Sequence, residues 1–296
     1  MADLPSFTEV DRYLLSNNDI PPEALAKLDT GKAPRSSYLS SDASKIQVFV
    51  LFGLDGVNSS DSVMLVALDR VHQKIKLISL ARDSYVFVPE FASFSKLAYS
   101  YTWGGAAMAV KNLNYNYYLN VSDYIAVDFD QLAQIIDRIG GVTVNIDEDE
   151  ARYLSGYPNV HVGDCLLDGE TAVSYARIRK SSATDSDRKR TGRQREVILS
   201  ILNTLQTMPL SQYPGFVRDC LGMCATSFEA ETLLTMAAET LGQNYTVEQY
   251  FFPEGQVDWW AGLIKEYFYY VYDLRRASDR IYRIIYEELY ISGYDD

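Results

Sequence analysis

Histidine and cysteine are scarce, with two histidines and three cysteines in 296 residues. With only His72 and His161 available, a histidine-based nucleophilic triad or a histidine-rich metal site is hard to build. Cys165, Cys220 and Cys224 are too few for a disulfide scaffold and match no zinc-binding spacing; Cys220 and Cys224 fit a closed five-residue loop and a pair of reduced thiols equally well. Long apolar runs are missing too. The longest, residues 46–54, has nine residues against the ~20 that span a bilayer as a helix, and the opening MADLPSFTEV lacks the basic start and apolar core of a signal peptide. The chain is therefore read either as cytoplasmic or as the part of a protein that lies beyond an upstream anchor. Positive charge is in short supply: 27 Lys and Arg face 40 Asp and Glu, for a formal charge of −13. That balance excludes general nucleic-acid binding, which needs a broad basic surface.

What is present is enough apolar residue to build a core, 47% of the chain, in a pattern that alternates strand and helix. Residues 1–44 read as a polar arm, with a short helix from Pro21 or Pro22 to Leu28 and a Ser-rich linker after it. Strands are predicted over 46–54, 62–69 and 74–80, the last two joined by the hairpin-length DRVHQ. Residues 85–88 form a further strand or an edge, stopped by Pro89. A helix follows over 104–118, then a strand over 123–127. Asp128 caps the next helix, with the stripe Leu132, Ile135, Ile136 and Ile139 and a stop at Gly140 or Gly141. Residues 142–146 return to strand, Asp168 caps a short helix, 176–179 are read as extended, and 190–208 as helical. Near the C-terminus the pattern predicts a helix over 228–241, a strand over 247–252 and one long helix from 257 to about 288. In that helix Trp260, Ile264, Tyr267, Val271 and Leu274 share a core-facing side. The expected class is α/β, a central mixed β-sheet covered by helices on both faces. Its parts are the arm 1–44, a catalytic core 45–208, and a mainly helical part 209–296 packed on the same domain.

Within this acidic chain, residues 175–195, YARIRKSSATDSDRKRTGRQR, invert the sign: six arginines and two lysines face two aspartates. Such an inversion marks an anion site or a solvated basic face. Arg177 and Arg179 are two apart, so on a strand they face one side, where planar guanidinium groups suit phosphate oxygens. Arg190, Arg193 and Gln194 recur at helical spacing, at what reads as the start of a helix, where free N–H groups and the dipole also attract anions. Lys180, Arg188, Lys189 and Arg195 read as solvated. Asp55 and Asp61 flank the turn between the first two strands, and two hard carboxylates beside a phosphate suit Mg²⁺; turn-forming aspartates explain them as well. Arg82 and Asp83 follow the third strand at its end, and Lys96 is less specific.

Taken in order, several segments resemble the LytR-CpsA-Psr family: SDSVMLVALD (60–69), IKLISLARDSYV (75–86), KLAYSYTWGG (96–105), DYIAVDFDQLAQIIDRIGGVTVNI (123–146), LDGETAVSYARIR (167–179) and DRKRTGRQR (187–195). The resemblance implies a membrane-anchored phosphotransferase on the extracellular face of the cell membrane. Its donor would be an undecaprenyl-diphosphate-linked polysaccharide such as a teichoic acid or capsule, and its acceptor peptidoglycan. Carried over to this chain, it implies Asp55 and Asp61 as Mg²⁺ ligands. It also implies a diphosphate site of Arg82, Arg177, Arg179, Arg190 and Gln194, to which Lys96 and Arg193 are added as candidates, with Asp61, Arg82, Asp83 and Arg190 assigned to catalysis. Two departures stand out. The family's arginine before the Ser-Asp pair is missing from the shortened loop ahead of Ser60 and Asp61, and the proline of its Pro-Arg-Asp motif is Ala81. A polyprenyl-diphosphate hydrolase and a non-catalytic lipid-binding or regulatory envelope protein are the alternative functions.

Overall fold

A computed structural model describes residues 14–28, 43–56, 59–179, 183–241, 245–254 and 257–287. Most of the expected linker and Lys180 lie outside them. In chain order the elements begin with α1 (Pro22–Leu25), β1 (Ile46–Leu54), β2 (Ser60–Asp69), β3 (Lys74–Leu80), β4 (Tyr85–Val88), β5 (Ser93–Lys96) and α2 (Tyr99–Tyr117). There follow β6 (Asp123–Asp128), α3 (Phe129–Arg138), β7 (Val142–Ile146), α4 (Glu148–Tyr153), β8 (Gly163–Leu167), α5 (Gly169–Ala176) and α6 (Ala183–Thr207). The last are α7 (Tyr213–Leu221), β9 (Ala225–Thr226), α8 (Ala230–Leu241), β10 (Thr246–Phe252), β11 (Trp259–Ile264), β12 (Tyr267–Tyr272) and α9 (Leu274–Tyr286). The α/β class is as expected, with helices flanking a mixed sheet.

The chain divides into two compact units, one of residues 1–51, 57–122 and 248–296 and another of 52–56 and 123–247. The boundary expected at 208 therefore falls inside the second unit. In the first unit the neighbours run β10, β3, β2, β1, with β2 and β3 antiparallel in register from Val63 opposite Leu80 to Asp69 opposite Lys74. From Val63 onward every residue of β2 is buried, which is why it reads as a continuous apolar run and not as an alternating one. The turn after it closes on the Asp69 carboxylate, whose Oδ1 accepts the N–H groups of Val71 and His72. β4 pairs with β5 as a separate ribbon and not as an extension of the sheet.

α2 starts earlier than its apolar spacing predicts and breaks at Gly104 and Gly105; Gly105 has φ +62°, a conformation that favours glycine. In the second unit the end of β1, β6 and β9 are neighbours. Asp128 caps α3 through a reciprocal pair of bonds with Gln131, as predicted. Gly169, at the start of α5, is packed so closely on α3 that a Cβ there would lie 2.1 Å from the Ala133 carbonyl. Among the described residues β7 pairs with β8 alone, in a two-stranded ribbon.

The largest correction concerns 257–272. The expected single helix is a β-hairpin, β11 with β12, followed by α9. The spacings of four within Trp260/Ile264 and Tyr267/Val271 are even numbers, so they also satisfy the two-residue period of a strand. Trp260 lies opposite Val271 and Ile264 opposite Tyr267, and all four pack into one core cluster. Lys265 turns the hairpin at φ +55° without the Asn-Gly or Asp-Gly signal that would have announced it.

Candidate active site

Each unit gathers some of the residues singled out from the sequence. In the first unit, Arg82 leaves the end of β3 and its guanidinium donates to the Asp61 carboxylate near the start of β2. Its Nε also lies 3.5 Å from Asp83 Oδ2, while Lys96 Nζ at the end of β5 donates to Asp83 Oδ1 at 2.7 Å. The result is a chain of alternating charge, Asp61, Arg82, Asp83, Lys96, in which opposite charges sit at contact distance. Lys96 Nζ also stands 5.9, 5.8 and 5.4 Å from the ring centres of Tyr99, Tyr267 and Tyr269. At that range the ring faces attract a cation. Burial, followed by the charges of Tyr99 and Asp83, holds the Tyr269 hydroxyl above its ordinary pKa, so it stays neutral. None of the three was foreseen: Tyr267 and Tyr269 lie in a segment read as helix, and Tyr99 precedes the predicted start of α2 at 104.

The backbone between β3 and β4 is pinned on several sides. Tyr270 N–H donates to the Asp83 carbonyl, Ala98 N–H to that of Arg82, and Ser84 Oγ to that of Ala81. Ser84 Oγ also meets the Tyr272 hydroxyl at 2.8 Å, which in turn meets that of Tyr117, whose pKa burial pushes up to about 12. Ala81, standing where the family pattern has proline, donates its N–H to the Phe252 carbonyl at 2.8 Å. Proline has no N–H to give, so this chain replaces ring stiffness with a hydrogen bond to the end of β10.

In the second unit Asp55 follows β1 directly and is half-buried. Arg177 and Arg179 are not on a strand. α5 ends at Ala176, Arg177 is its C-cap at φ −95°, ψ −4°, and the chain leaves without regular structure. Both arginines are exposed around a fully buried Ile178, so they keep a common outward side for a different reason. The Arg177 guanidinium stacks 4.5 Å from the Phe129 ring centre.

Arg190, Arg193 and Gln194 do follow one side of α6. That helix begins at Ala183, however, which puts Arg190 about two turns inside it. The free N–H groups of a helix start are therefore not available to this trio. Arg190 is 3% exposed and Arg193 4%. Arg193 Nε donates to Glu150 Oε1 at 2.7 Å and Nη1 to the Ile178 carbonyl at 3.1 Å. Gln194 Oε1 is buried with no hydrogen-bond partner among the described residues. Of the residues read as solvated, Arg188 and Lys189 are exposed. Arg195 is half-buried, and burial, then the charge of Arg188, lowers its pKa. No group of three or more His, Cys, Asp or Glu side chains suited to a metal occurs among the described residues.

Comparison with known proteins gives a consistent picture. The model of the LytR_cpsA_psr family matches residues 24–282. A polyisoprenyl-teichoic acid–peptidoglycan teichoic acid transferase, TagU, of Oceanobacillus iheyensis is 28% identical over 227 residues, covering 74% of this chain and 69% of the relative. The regulatory protein MsrR of Staphylococcus aureus is 29% identical over 184 residues, covering 59% of this chain and 54% of the relative. The chain thus spans about two thirds of the first relative's length and about half of the second's. Among solved structures, TagT bound to LIIa-WTA superposes with a TM-score of 0.69 at 19% identity, covering 88% of this chain and 98% of that one. B. subtilis TagT gives 0.67 at 19% identity, with 88% and 99% covered. At these identities the structural likeness speaks for the fold.

Proposed function

The chain belongs to the LytR-CpsA-Psr family, whose model matches most of its length, and from that premise we propose that it is a glycopolymer phosphotransferase of the cell envelope. It moves a teichoic acid, capsule or similar polymer from an undecaprenyl-diphosphate carrier onto peptidoglycan. The observation that carries this reading is the alternating charge chain of Asp61, Arg82, Asp83 and Lys96, which falls on residues matching the family's motifs. A relative named as a teichoic acid transferase supports the same reaction class. No helix among the described residues is long and apolar enough to cross a membrane; a position at the extracellular face of the membrane, held by an anchor, is part of the proposal.

Phosphoryl transfer asks for positioning and charge neutralisation more than for an unusual nucleophile. A sugar hydroxyl of peptidoglycan attacks the polymer-bearing phosphorus. A new P–O bond forms, and the bond to the bridging oxygen breaks with its electron pair leaving on undecaprenyl phosphate. Arg82 in the first unit, and Arg177, Arg179, Arg190 and Gln194 in the second, are the residues assigned to diphosphate charge. The hydroxyl proton is assigned to one of the two carboxylates of the charge chain, Asp61 or Asp83. Mg²⁺ is the proposed cofactor, with Asp55 and Asp61 as its carboxylates. Each carboxylate is a hard oxygen donor of the kind this ion takes, and the ion would neutralise phosphate charge when bound.

The test is a reconstituted assay with lipid-linked polymer and a glycan acceptor, with and without chelation of Mg²⁺. Transfer yields a covalent polymer–glycan adduct. Free polymer without adduct would instead mean hydrolysis, and neither product would mean a binding protein.

A further inference from the structure

Arg193 belongs to the basic stretch, and helical spacing groups it with Arg190 and Gln194 as a diphosphate candidate, yet its surroundings give it different work. Its guanidinium is buried and held on three sides. Glu150 Oε1 takes Nε at 2.7 Å, the Ile178 carbonyl takes Nη1 at 3.1 Å, and the Tyr175 ring centre lies 6.0 Å away. Glu150 is itself buried and fixed, because its Oε2 accepts the Asp147 N–H at 3.0 Å in the capping box of α4. The Tyr175 hydroxyl is fixed as well, donating to Glu196. Every group that Arg193 touches is thus anchored, and the carbonyl it grips is that of Ile178, the residue between Arg177 and Arg179.

We propose that Arg193 is a positioning residue that does not touch the diphosphate. It transmits the rigidity of α4, through Glu150, to the irregular segment 177–179, and so sets where the Arg177 and Arg179 side chains start. Ile178, fully buried, is the side-chain anchor of that segment, and the Arg193 bond to its carbonyl is the polar one. A planar guanidinium suits this task because two of its donors point in fixed directions at once, which a lysine ammonium on a flexible stem does not reproduce.

This inference rests on the diphosphate reading above, and one titration separates the two. The whole chain is titrated with geranylgeranyl diphosphate by calorimetry, well below each variant's unfolding midpoint, for the wild type and for Glu150→Gln, Arg193→Lys and Arg179→Ala. If Arg193 positions the segment, Glu150→Gln weakens binding about tenfold although it removes a negative charge. Arg193→Lys weakens it similarly although it keeps the positive one, and the double variant is no weaker than the worse single. Amide hydrogen exchange at Ile178 and Arg179 then quickens in Glu150→Gln while α5 stays protected. If Arg193 instead meets the ligand, releasing it from Glu150 tightens binding. Tighter or unchanged binding in Glu150→Gln overturns the proposal, as does wild-type affinity in Arg193→Lys. Should Arg193→Lys fail to fold, the near-isosteric Glu150→Gln decides alone. A wild type that does not bind the probe, or an Arg179→Ala variant that binds it fully, would sink the diphosphate reading and this inference with it.

Discussion

The two ends of strand β2 carry the same kind of pair in opposite settings. At its close, Asp69 is 0% exposed and accepts from Lys76 Nζ at 3.0 Å, with Lys76 itself 1% exposed and also donating to the Ile285 carbonyl. At its start, Asp61 meets Arg82 with 11% and 22% of their side chains exposed, and Arg82 reaches on to Asp83. The sealed pair has its remaining bonds made by His72 and the turn backbone. It joins a hairpin to the end of α9, and its chemistry is spent on the fold. The open pair sits where a ligand can exchange with a protein partner, and there the same electrostatics serve binding.

The comparison breaks most readily at the sealed end. Asp69→Ala leaves the Lys76 ammonium buried without its counter-ion and should destabilise the protein by about 3–5 kcal/mol, read by denaturant unfolding. Adding Lys76→Met should recover most of that loss, since an apolar pair in a sealed site is nearly neutral. Activity per folded molecule should not change in the double variant; if it collapsed, the division of labour along β2 would be wrong. At the open end the signs reverse. Arg82→Ala should lower transfer roughly 10²–10³-fold, the loss expected for one preorganised donor to developing charge. Its unfolding free energy should fall by less than in Asp69→Ala, since the carboxylates it leaves are not fully sealed. Full activity in this variant would end the assignment.

Acid sharpens the same contrast. Burial alone would raise the Asp69 pKa, but hydrogen bonds from His72 and Lys76 and the Lys76 charge outweigh it and pull the carboxyl down to about 2 from 3.8. A carboxyl depressed on folding contributes stability that is fully present above its unfolded value and lost as pH falls through the folded one. Between pH 4 and 2 the chain should therefore lose about 2 kcal/mol from this residue. Asp69→Asn should flatten that stretch of the stability–pH curve, and an unchanged slope would show that the pair is not the source.

The sequence made the first part of this picture legible because hydrophobic runs, a hairpin-length turn and helix caps are local signals. β1 to β3, the Asp128 cap and the Gly140 stop all follow from them. The hairpin of β11 and β12 was hidden by even spacing and by a turn at Lys265 with no glycine or asparagine. Arg82 and Asp83 could be singled out at a strand end, but their partners depend on β5 and β12, far away in sequence. Arg193 was grouped with its neighbours by helical spacing, which states which side it faces and not what stands there. Glu150, which decides its role, carries no local mark.

Lys96 lies between the two extremes and gives the smallest and most informative test. Its side chain and that of Asp83 are 11% and 10% exposed, less open than Arg82 and less sealed than Lys76. Three tyrosine rings supply attraction that remains even without the carboxylate. If Lys96 acts through Asp83 on the placement of Arg82, Lys96→Gln keeps a hydrogen bond to Asp83 but removes the charge. The turnover rate should then fall about tenfold, equivalent to about 1.4 kcal/mol, while geranylgeranyl diphosphate affinity stays within about twofold. Lys96→Arg should restore part of the rate. A loss confined to affinity would place Lys96 on the diphosphate itself, and no loss of either would move it to the sealed class, where charge serves only the fold.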